Sequence, residues 1–460
     1  MAEEFSSLEV AVAQFIVDFD LAHIDARAGE SAVSLIKDQL AIQVGASRLP
    51  WSRQVRAARQ LRPGLSTIVG EAERVAAADA AYLNATYGHG FEYDDYAGNA
   101  HPGCCVVPVA LAVGEELNVS LEQMLVALVA GYETYVRIGR LGSPDLLNAG
   151  WQPHSVLANF GAAAVAAKLH GLDTERTLHA LSIALSHASG TTEYASTGGS
   201  IKRAHAGMAA RNGIEAVDLA RAGITGPRRF LTGDRGLYQT FIRKQVSDDA
   251  RVDFQTDKPL EISQLSFKAY CCCAANHPYI EAMAPFRSKV GDIESVDAGI
   301  QTMTDAIVGN RNAHIYEPRN IEELQYSLPA QMALSLLGRG NGYQTHRAFL
   351  EGTLQLTPDS DVVRMAKRIK LTVDKELDIK YRKFVADVTV RYRDGTTEHR
   401  FVDRATGRPD KPFTPQEHQD KLDELTRDHL GSERATKMFA LVDRLSPITP
   451  TTELTALIGA

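Results

Sequence analysis

The sequence has no excess of positive charge and no long apolar run. Its 460 residues carry 49 Lys and Arg against 57 Asp and Glu, a formal net charge of −8. No basic surface is therefore expected for a nucleic-acid partner. No stretch reaches the about 18 apolar residues of a membrane helix, and the first residues lack the basic and apolar regions of a secretory signal. These absences favour a cytoplasmic protein that binds neither nucleic acid nor membrane.

The five cysteines lack the spacing of a disulfide framework or a CxxC metal site. They stand as an adjacent pair, Cys104 and Cys105, and as the triplet Cys271, Cys272 and Cys273. Contiguous cysteines point in different directions, whereas the ligands of an iron-sulfur cluster are spaced along the chain. We therefore expect reduced, buried thiols and no metal cluster.

The first half of the chain has the pattern of successive helices. Apolar residues recur at helical spacing after Ser120, and Ser120 with Gln123 is typical of a capping box. Asp173 is expected to cap another helix. With 44% apolar and 23% charged residues, the chain is long enough for two domains.

The pattern changes to strands in the second half. Residues 386–392 alternate between apolar and polar, Asp394-Gly395 predicts a hairpin turn, and residues 368–374 predict another strand. A capping sequence at 414–417 then starts a helix. We expect a mainly α protein: a large all-helical domain (1–264), a smaller α+β lid domain (265–404), and C-terminal helices (405–460) that return to the helical domain.

An acidic, histidine-bearing segment and two lysines carry the chemistry. The segment is GHGFEYDDYAGNAHPGCCVVP, residues 88–108, and the lysines are Lys202 and Lys268. If the segment begins as a helix, residues 92, 95 and 96 share one face and Asp94 points elsewhere. A break at Gly98 then brings His101 into reach. Carboxylates, an imidazole and amines can remove a proton next to a carboxylate and protonate a leaving group.

Several blocks resemble the MmgE/PrpD family. They include FEYDD with the following HPGCCVVP, GGSIKRAHAGMAARNG and SFKAYCCC, and they occur in the family's order over most of the chain. The family includes 2-methylcitrate dehydratases, cis-aconitate decarboxylases and iminodisuccinate epimerases. The resemblance implies a homodimeric enzyme without cofactor or metal, with its active site between a helical domain and an α+β lid.

The resemblance also assigns residues by position. It implies that Lys202 is the base, His101 the acid, Glu92 the partner that orients or charges one of them, and Lys268 a carboxylate clamp. The residues expected to bind the substrate are Asp94, Tyr96, Gln152, His154, Arg203 and His205. His89, His179 and His187 are assigned to structure.

Three departures from the family pattern concern the substrate pocket. Glu92 stands where Asp is usual and Tyr96 where Thr is usual. The family's Phe-His-Pro motif reads Trp-Gln-Pro-His at 151–154, so a histidine is lost or displaced by two residues. Ala330 replaces a tyrosine that follows Ser-Leu-Pro in many members. These departures weigh against decarboxylation of cis-aconitate.

The first functional hypothesis is a (de)hydratase acting on a di- or tricarboxylate that resembles 2-methylcitrate. Epimerisation of an amino- or imino-dicarboxylate is the alternative, because both reactions begin by removing a proton next to a carboxylate. A cis-aconitate decarboxylase and a catalytically altered binding protein are further alternatives. A terpene synthase is disfavoured, since DDYAG has Gly98 where a third acid is required.

Overall fold

A computed structural model describes residues 7–97 and 100–460, with the backbone alone at 196 and 197. Gly98, where the sequence predicts a break, lies outside the described residues. The chain forms two compact units. The first contains the chain up to Thr192 together with Ser200–Leu265 and Leu425–Ala460, and the second contains Glu193–Gly199 and Ser266–Glu424.

The first unit is built mainly from helices, which confirms the predicted fold class for this part of the chain. Its α-helices are α1 (Leu8–Asp18), α2 (Ala26–Ala46), α3 (Pro50–Ala57), α4 (Ala77–His89), α5 (Gly103–Glu116), α6 (Leu121–Gly142), α7 (Asp145–Asn148), α8 (Pro153–Leu169), α9 (Thr174–Leu185), α11 (Lys202–Arg221), α12 (Leu237–Ile242), α21 (Ser432–Arg444) and α22 (Thr451–Thr455). Short 3-10 helices are Leu21–His23, Asp248–Phe254 and Glu261–Gln264.

The expectation of an all-helical first half is wrong at one place. Strands β1 (Pro63–Thr67) and β2 (Arg74–Val75) form an antiparallel pair. Glu115 of α5 holds this pair, because its carboxylate accepts hydrogen bonds from the backbone and the hydroxyl of Thr67 at 2.7 and 2.8 Å. Two residues of β2 are too few to show an alternating pattern, so the sequence gives little signal for this sheet.

Close packing around α11 positions its first residues. A Cβ at Gly207 would overlap the backbone of Tyr82 in α4, and a Cβ at Gly213 would overlap Ala162 in α8. Glycine therefore lets α11 approach both neighbours closely. Because Gly207 lies against α4, the start of α11 at Lys202 comes close to the end of α4 at His89.

Local signals for helix ends are confirmed. The Ser120 hydroxyl accepts the backbone N–H of Gln123 at 3.2 Å, and the Gln123 side chain accepts the N–H of Ser120 at 3.0 Å. Asp173 accepts the N–H of Arg176 at 2.8 Å. Each contact satisfies a helix N–H that lacks a partner within its own helix.

The second unit combines short helices with a four-stranded sheet of order β4-β3-β5-β6. Strand β3 (Ile293–Ile300) is parallel to β4 (Ile369–Val373) and antiparallel to β5 (Ala386–Tyr392), which pairs with β6 (Thr397–Val402). The predicted strand at 368–374 and the hairpin are confirmed, and Gly395 has the positive φ of +86° that its turn requires.

The helices that lie wholly in the second unit have at most nine residues. They are α10 (Glu193–Thr197), α13 (His277–Met283), α14 (Thr302–Val308), α15 (Ile321–Gln325), α16 (Leu328–Leu336), α17 (Tyr343–Leu350), α18 (Asp361–Ala366) and α19 (Lys375–Lys380), with 3-10 helices at Ala274–Asn276 and Ala284–Asp292. Helix α20 (Pro415–Leu430) contains the boundary between the units. Of all the described helices, none combines the length and apolar character that crossing a membrane requires.

Candidate active site

The acidic segment is a loop between α4 and α5. The conditional expectation of a helix over 92–96 is wrong, because α4 ends at His89 and Glu92 adopts a left-handed backbone with φ +56°. A non-glycine residue in this region costs about 1–2 kcal/mol, a strain that is often found at functional sites. In this loop Asp94 lies in contact with His89.

Glu92 forms an ion pair with Lys202. Its carboxylate contacts the Nζ atom of Lys202, and only 5% of Glu92 and 7% of Lys202 are exposed. Lys202 is the first residue of α11, and His205 lies one turn further along that helix. Burial and the charge of Lys202 lower the pKa of His205 to about 4. The start of α11 therefore supplies one buried cation and one neutral imidazole.

Asp94 connects two histidines. Nδ1 of His89 donates to its carboxylate at 2.7 Å, and Nδ1 of His101 lies 3.4 Å from the same oxygen. Nδ1 of His101 also lies 2.9 Å from the backbone oxygen of Asp95. The His101 side chain is 17% exposed, whereas those of His89 and Asp94 are fully buried. Because Nδ1 of His101 is held in this way, proton exchange with a substrate would use Nε2.

His154 extends the same cluster. It is fully buried, and its ring centroid lies 4.6 Å from that of His89 and 6.0 Å from that of His101. Nδ1 of His154 and the hydroxyl of Tyr135 are hydrogen-bonded at 2.8 Å. The backbone N–H of His101 donates to the same hydroxyl at 3.3 Å. The histidine of the altered Trp-Gln-Pro-His sequence thus points at the other two histidines.

Burial shifts the protonation of this cluster. It raises the pKa of Asp95 to about 8, with a further rise from the charge of Asp94. It lowers the pKa of His89 to about 3, although Asp94 partly opposes this effect. At neutral pH the cluster therefore holds a neutral imidazole and a carboxyl group that retains its proton. The backbone N–H of Gly103 donates to Asp95 at 3.2 Å at the start of α5.

Three other residues predicted to bind the substrate belong to the first unit. The Gln152 side chain caps α8 by accepting the N–H of Ser155 at 2.5 Å. The Arg203 guanidinium donates to the backbone oxygen of Gly90 and lies 3.9 Å from the ring centroid of Trp51. Tyr96 is half-buried in the acidic loop. Their roles toward a substrate stay predictions.

Lys268 and Ala330 belong to the second unit. Lys268 is 2% exposed, and its charge adds to burial in lowering the pKa of His277 to about 3. Ala330 lies in α16 and is 1% exposed, with its backbone N–H donating to the Ser327 hydroxyl at 3.0 Å. The clamp role of Lys268 stays a prediction.

The sequence reasoning missed several members of the cluster. His89 was assigned to structure, although it contacts Asp94 and His154, and Asp95, Cys104 and Tyr135 received no role toward the histidines. One usable signal was the position of His89, three residues before Glu92. Tyr135 offered none, because a tyrosine in a helix with an apolar stripe has the pattern of a core residue.

Two groups of side chains have the geometry to hold a metal ion. His89, Cys104 and His154 form one group, and His89, Asp94 and His101 form the other. In each group the possible ligand atoms lie within 4.8 Å of one another. Four of these five residues are buried, and His101 is half-buried. The resemblance alone implied that no metal is used.

Comparison with known proteins gives similar proteins over nearly the whole length. The chain is 28% identical over 451 residues to a cis-aconitate decarboxylase-like protein of Aspergillus oryzae, covering 94% of this chain and 92% of that protein. It is 26% identical over 458 residues to the cis-aconitate decarboxylase of Aspergillus terreus, covering 92% and 91% of the two chains. For the cis-aconitate decarboxylase of Mus musculus the identity is 25% over 408 residues, covering 85% and 81%.

Two family models match the chain. The MmgE/PrpD N-terminal domain matches residues 10–249, and the MmgE/PrpD C-terminal domain matches residues 270–446. Together they span the acidic loop, Lys202 and the four-stranded sheet, and Lys268 lies two residues before the second matched range. Because the two domain models match in the expected order over most of its length, this protein belongs to the MmgE/PrpD family.

Proposed function

We propose that the protein is a cofactor-independent lyase that acts on a di- or tricarboxylate by proton transfer at the carbon next to a carboxylate. The observation that carries this proposal is the pairing of two proton-transfer groups with carboxylates of one short loop. Lys202 contacts Glu92, and His101 lies beside Asp94. Removal of such a proton requires a base, and the enediolate that forms requires nearby positive charge.

Dehydration of a hydroxy acid that resembles 2-methylcitrate is the first candidate reaction. Lys202 passes its proton to Glu92 and then, as a neutral amine, takes the proton from carbon. His101 protonates the β-hydroxyl group, the carbon–oxygen bond breaks, and water leaves. Asp94, 3.4 Å from Nδ1 of His101, stabilises the imidazolium form that acts as the acid. The arrangement supports this reaction because the base, Lys202, and the acid, His101, each lie beside a different carboxylate.

Decarboxylation of cis-aconitate or a close analogue is the second candidate. Three relatives whose names carry this activity, or likeness to it, are 25–28% identical to the chain over 81% or more of their own lengths. In this reaction a carbon–carbon bond breaks, carbon dioxide leaves, and an acid such as His101 protonates the remaining carbon. The unusual Glu92 and Tyr96 weigh against it, because both lie in the loop that supplies the acid.

Two further parts of the proposal come from the family resemblance. Lys268, which is 2% exposed, is proposed to clamp a substrate carboxylate. A homodimer is proposed for the assembly. Neither proposal is needed for the roles of Lys202 and His101.

Proton NMR in D2O tests the function. The protein is mixed with citrate, 2-methylcitrate, cis-aconitate, malate and iminodisuccinate. An alkene product from a hydroxy acid establishes dehydration: it gives a vinyl signal from citrate or malate, and a methyl doublet that becomes an allylic singlet from 2-methylcitrate. New signals from cis-aconitate with release of carbon dioxide establish decarboxylation. Deuterium entering an α-carbon without elimination would overturn the lyase assignment in favour of an epimerase. No change in any substrate would overturn the proposed substrate class.

A pair of lysine variants controls this experiment. Lys202→Ala removes the proposed base, whereas Lys37→Ala removes a lysine of the same unit that pairs with the half-exposed Asp443. Turnover should disappear only in the first variant. Equal turnover in both variants would remove Lys202 from the mechanism.

A further inference from the structure

We propose that His89, Cys104 and His154 form a binding site for a soft divalent metal ion, and that Zn²⁺ is the ion that fits it best. One nitrogen of each imidazole and the Cys104 sulfur lie within 4.8 Å of one another, and Cys104 Sγ is 3.8 Å from Nε2 of His154. Tetrahedral Zn²⁺ with bonds of about 2.0–2.3 Å holds its ligand atoms about 3.3–3.8 Å apart. Small side-chain movements would therefore bring the three ligand atoms to the separations that Zn²⁺ requires.

In both imidazoles, Nδ1 contacts an oxygen atom, as is usual for histidines that bind a metal through Nε2. Nδ1 of His89 donates to Asp94 at 2.7 Å, and Nδ1 of His154 is hydrogen-bonded to Tyr135 at 2.8 Å. A ligating histidine usually donates its other ring N–H to a carboxylate or another oxygen, which fixes the ring and raises its basicity. Both rings are thus oriented so that the lone pair of Nε2 is left to bind a metal.

An unsatisfied nitrogen points independently to a ligand at this place. Nε2 of His89 is buried, and no residue in the described ranges 7–97 and 100–460 forms a hydrogen bond with it. Leaving a buried polar atom unsatisfied costs about 1–3 kcal/mol. A metal ion bound by this lone pair would remove that cost.

The second group of possible ligands fits less well. His89, Asp94 and His101 also lie close together, but Nδ1 of His89 is 2.7 Å from the Asp94 oxygen. That separation is a hydrogen bond and is shorter than the distance between two ligands of one ion. Asp94 is therefore better placed to orient His89 than to bind the metal beside it.

Ligand chemistry selects the ion. Two imidazoles and a thiolate favour Zn²⁺ over Mg²⁺ or Ca²⁺, which prefer oxygen ligands. Binding requires the Cys104 thiol to lose its proton to solvent, and His154 to carry its proton on Nδ1, where the Tyr135 oxygen accepts it. Three protein ligands leave one coordination position for water.

Occupancy of this site should inhibit the enzyme. Cys104 donates to the backbone oxygen of His101 at 3.1 Å, and Asp94 lies beside both His89 and His101. Zn²⁺ would break the first contact and add a positive charge near the proposed acid. This inhibition rests on the proposed function, whereas binding of the metal does not.

Titration with Co²⁺ tests the site without reference to activity. Metal-stripped protein is incubated with Co²⁺ until its spectrum is constant, and Zn²⁺ is then added in competition. A cysteine ligand should give a near-ultraviolet charge-transfer band and tetrahedral bands in the visible, which Zn²⁺ abolishes. Absence of these bands in folded wild-type protein would overturn the proposal.

Adjacent cysteines provide a matched pair of variants. Cys104→Ser should abolish the charge-transfer band, whereas Cys105→Ser should keep it, because the Cys105 thiol contacts the backbone of Ala158. Tyr135→Phe should weaken binding about 10–100-fold through loss of the group behind His154. An unchanged band in Cys104→Ser would refute the assignment.

A direct location of the metal avoids the risk that a variant fails to fold. Anomalous diffraction at the zinc edge from wild-type crystals soaked in Zn²⁺ should give a peak between His89, Cys104 and His154. A peak only at Cys271, Cys272 and Cys273, or at surface residues, would contradict the proposal. If the metal binds here and turnover is unaffected, the site stands and its inhibitory consequence is wrong.

Discussion

The ion pair between Glu92 and Lys202 should stabilise the first unit, and replacement of Glu92 by glutamine should show by how much. Glutamine keeps the shape of the side chain and removes the charge. Both partners are at most 7% exposed, so water can replace little of the lost interaction. Removing one partner of a buried pair costs about 3–5 kcal/mol. We expect the lower end, about 3 kcal/mol, because Lys202 can release its proton instead of staying charged.

A double-mutant cycle separates the pair from the side chains themselves. Lys202→Met alone should also be strongly destabilising, because it leaves the Glu92 carboxylate buried opposite an apolar group. The variant with both Glu92→Gln and Lys202→Met should recover about 2–3 kcal/mol relative to the sum of the single changes. If the two changes add, the contact contributes no coupling and the argument from burial fails.

Glu92→Gly provides a second comparison at the same position. It removes the same charge as Glu92→Gln, but glycine adopts the φ of +56° without steric cost. We expect Glu92→Gly to be less destabilised than Glu92→Gln by about 0.5–1 kcal/mol, after allowance for the greater freedom of glycine in the unfolded chain. A glycine variant that is less stable than the glutamine variant would refute the left-handed backbone at Glu92.

Tryptophan fluorescence in urea is the assay for these variants. Both tryptophans of the chain, Trp51 and Trp151, belong to the first unit, so their emission follows that unit. Stability differences are then obtained from transition midpoints at constant m. A change in m would show that the substitution altered the unfolded or native state and that the midpoints cannot be compared directly.

Lys202→Ala should lower turnover about 100–10,000-fold, which is the usual contribution of a catalytic acid or base. Lys37→Ala should keep the wild-type rate in the same NMR assay. Asp95→Asn should stabilise the protein increasingly as pH rises from about 4 to 8. The pKa of Asp95 is raised to about 8 in the folded protein, so wild-type stability falls as pH rises from the unfolded-state pKa of about 4 to 8, whereas asparagine does not titrate. Urea unfolding of both proteins at several pH values measures this difference. Gly207→Ala should cost about 1–3 kcal/mol through overlap with α4, whereas Gly29→Ala, whose Cβ would meet only Ile24 at 3.9 Å, should be neutral or stabilising in thermal unfolding. EDTA should leave turnover of metal-stripped enzyme unchanged and should restore turnover after inhibition by Zn²⁺.

Features set by neighbours in sequence were predicted well. The capping box at Ser120 and Gln123 and the turn at Asp394-Gly395 depend on residues within a few positions of each other, and both are confirmed. Strand β3 was missed. Its register is irregular between Ile293 and Ser295, which disturbs the alternation that marks a half-buried strand.

Features set by distant contacts were not predictable in the same way. Tyr135 meets His154 because α6 and α8 pack together, and neither residue's own sequence neighbourhood indicates the other. The faces assigned to residues 92–96 depended on a helix that the loop does not form. Once Glu92 takes a positive φ, the helical spacing that separates Asp94 from its neighbours no longer applies.

The acidic loop combines several features that each oppose folding. Glu92 has a left-handed backbone, and Asp94 and Asp95 are adjacent buried carboxyl groups. Burial keeps the His89 imidazole neutral, although the charge of Asp94 favours its protonation. A loop selected only for stability would avoid these costs, because glycine at 92 and apolar side chains at the other positions would fold more easily. Their collection within a few residues, beside a buried lysine, supports the proposed proton transfer, which requires charged and neutral groups to be held apart from water.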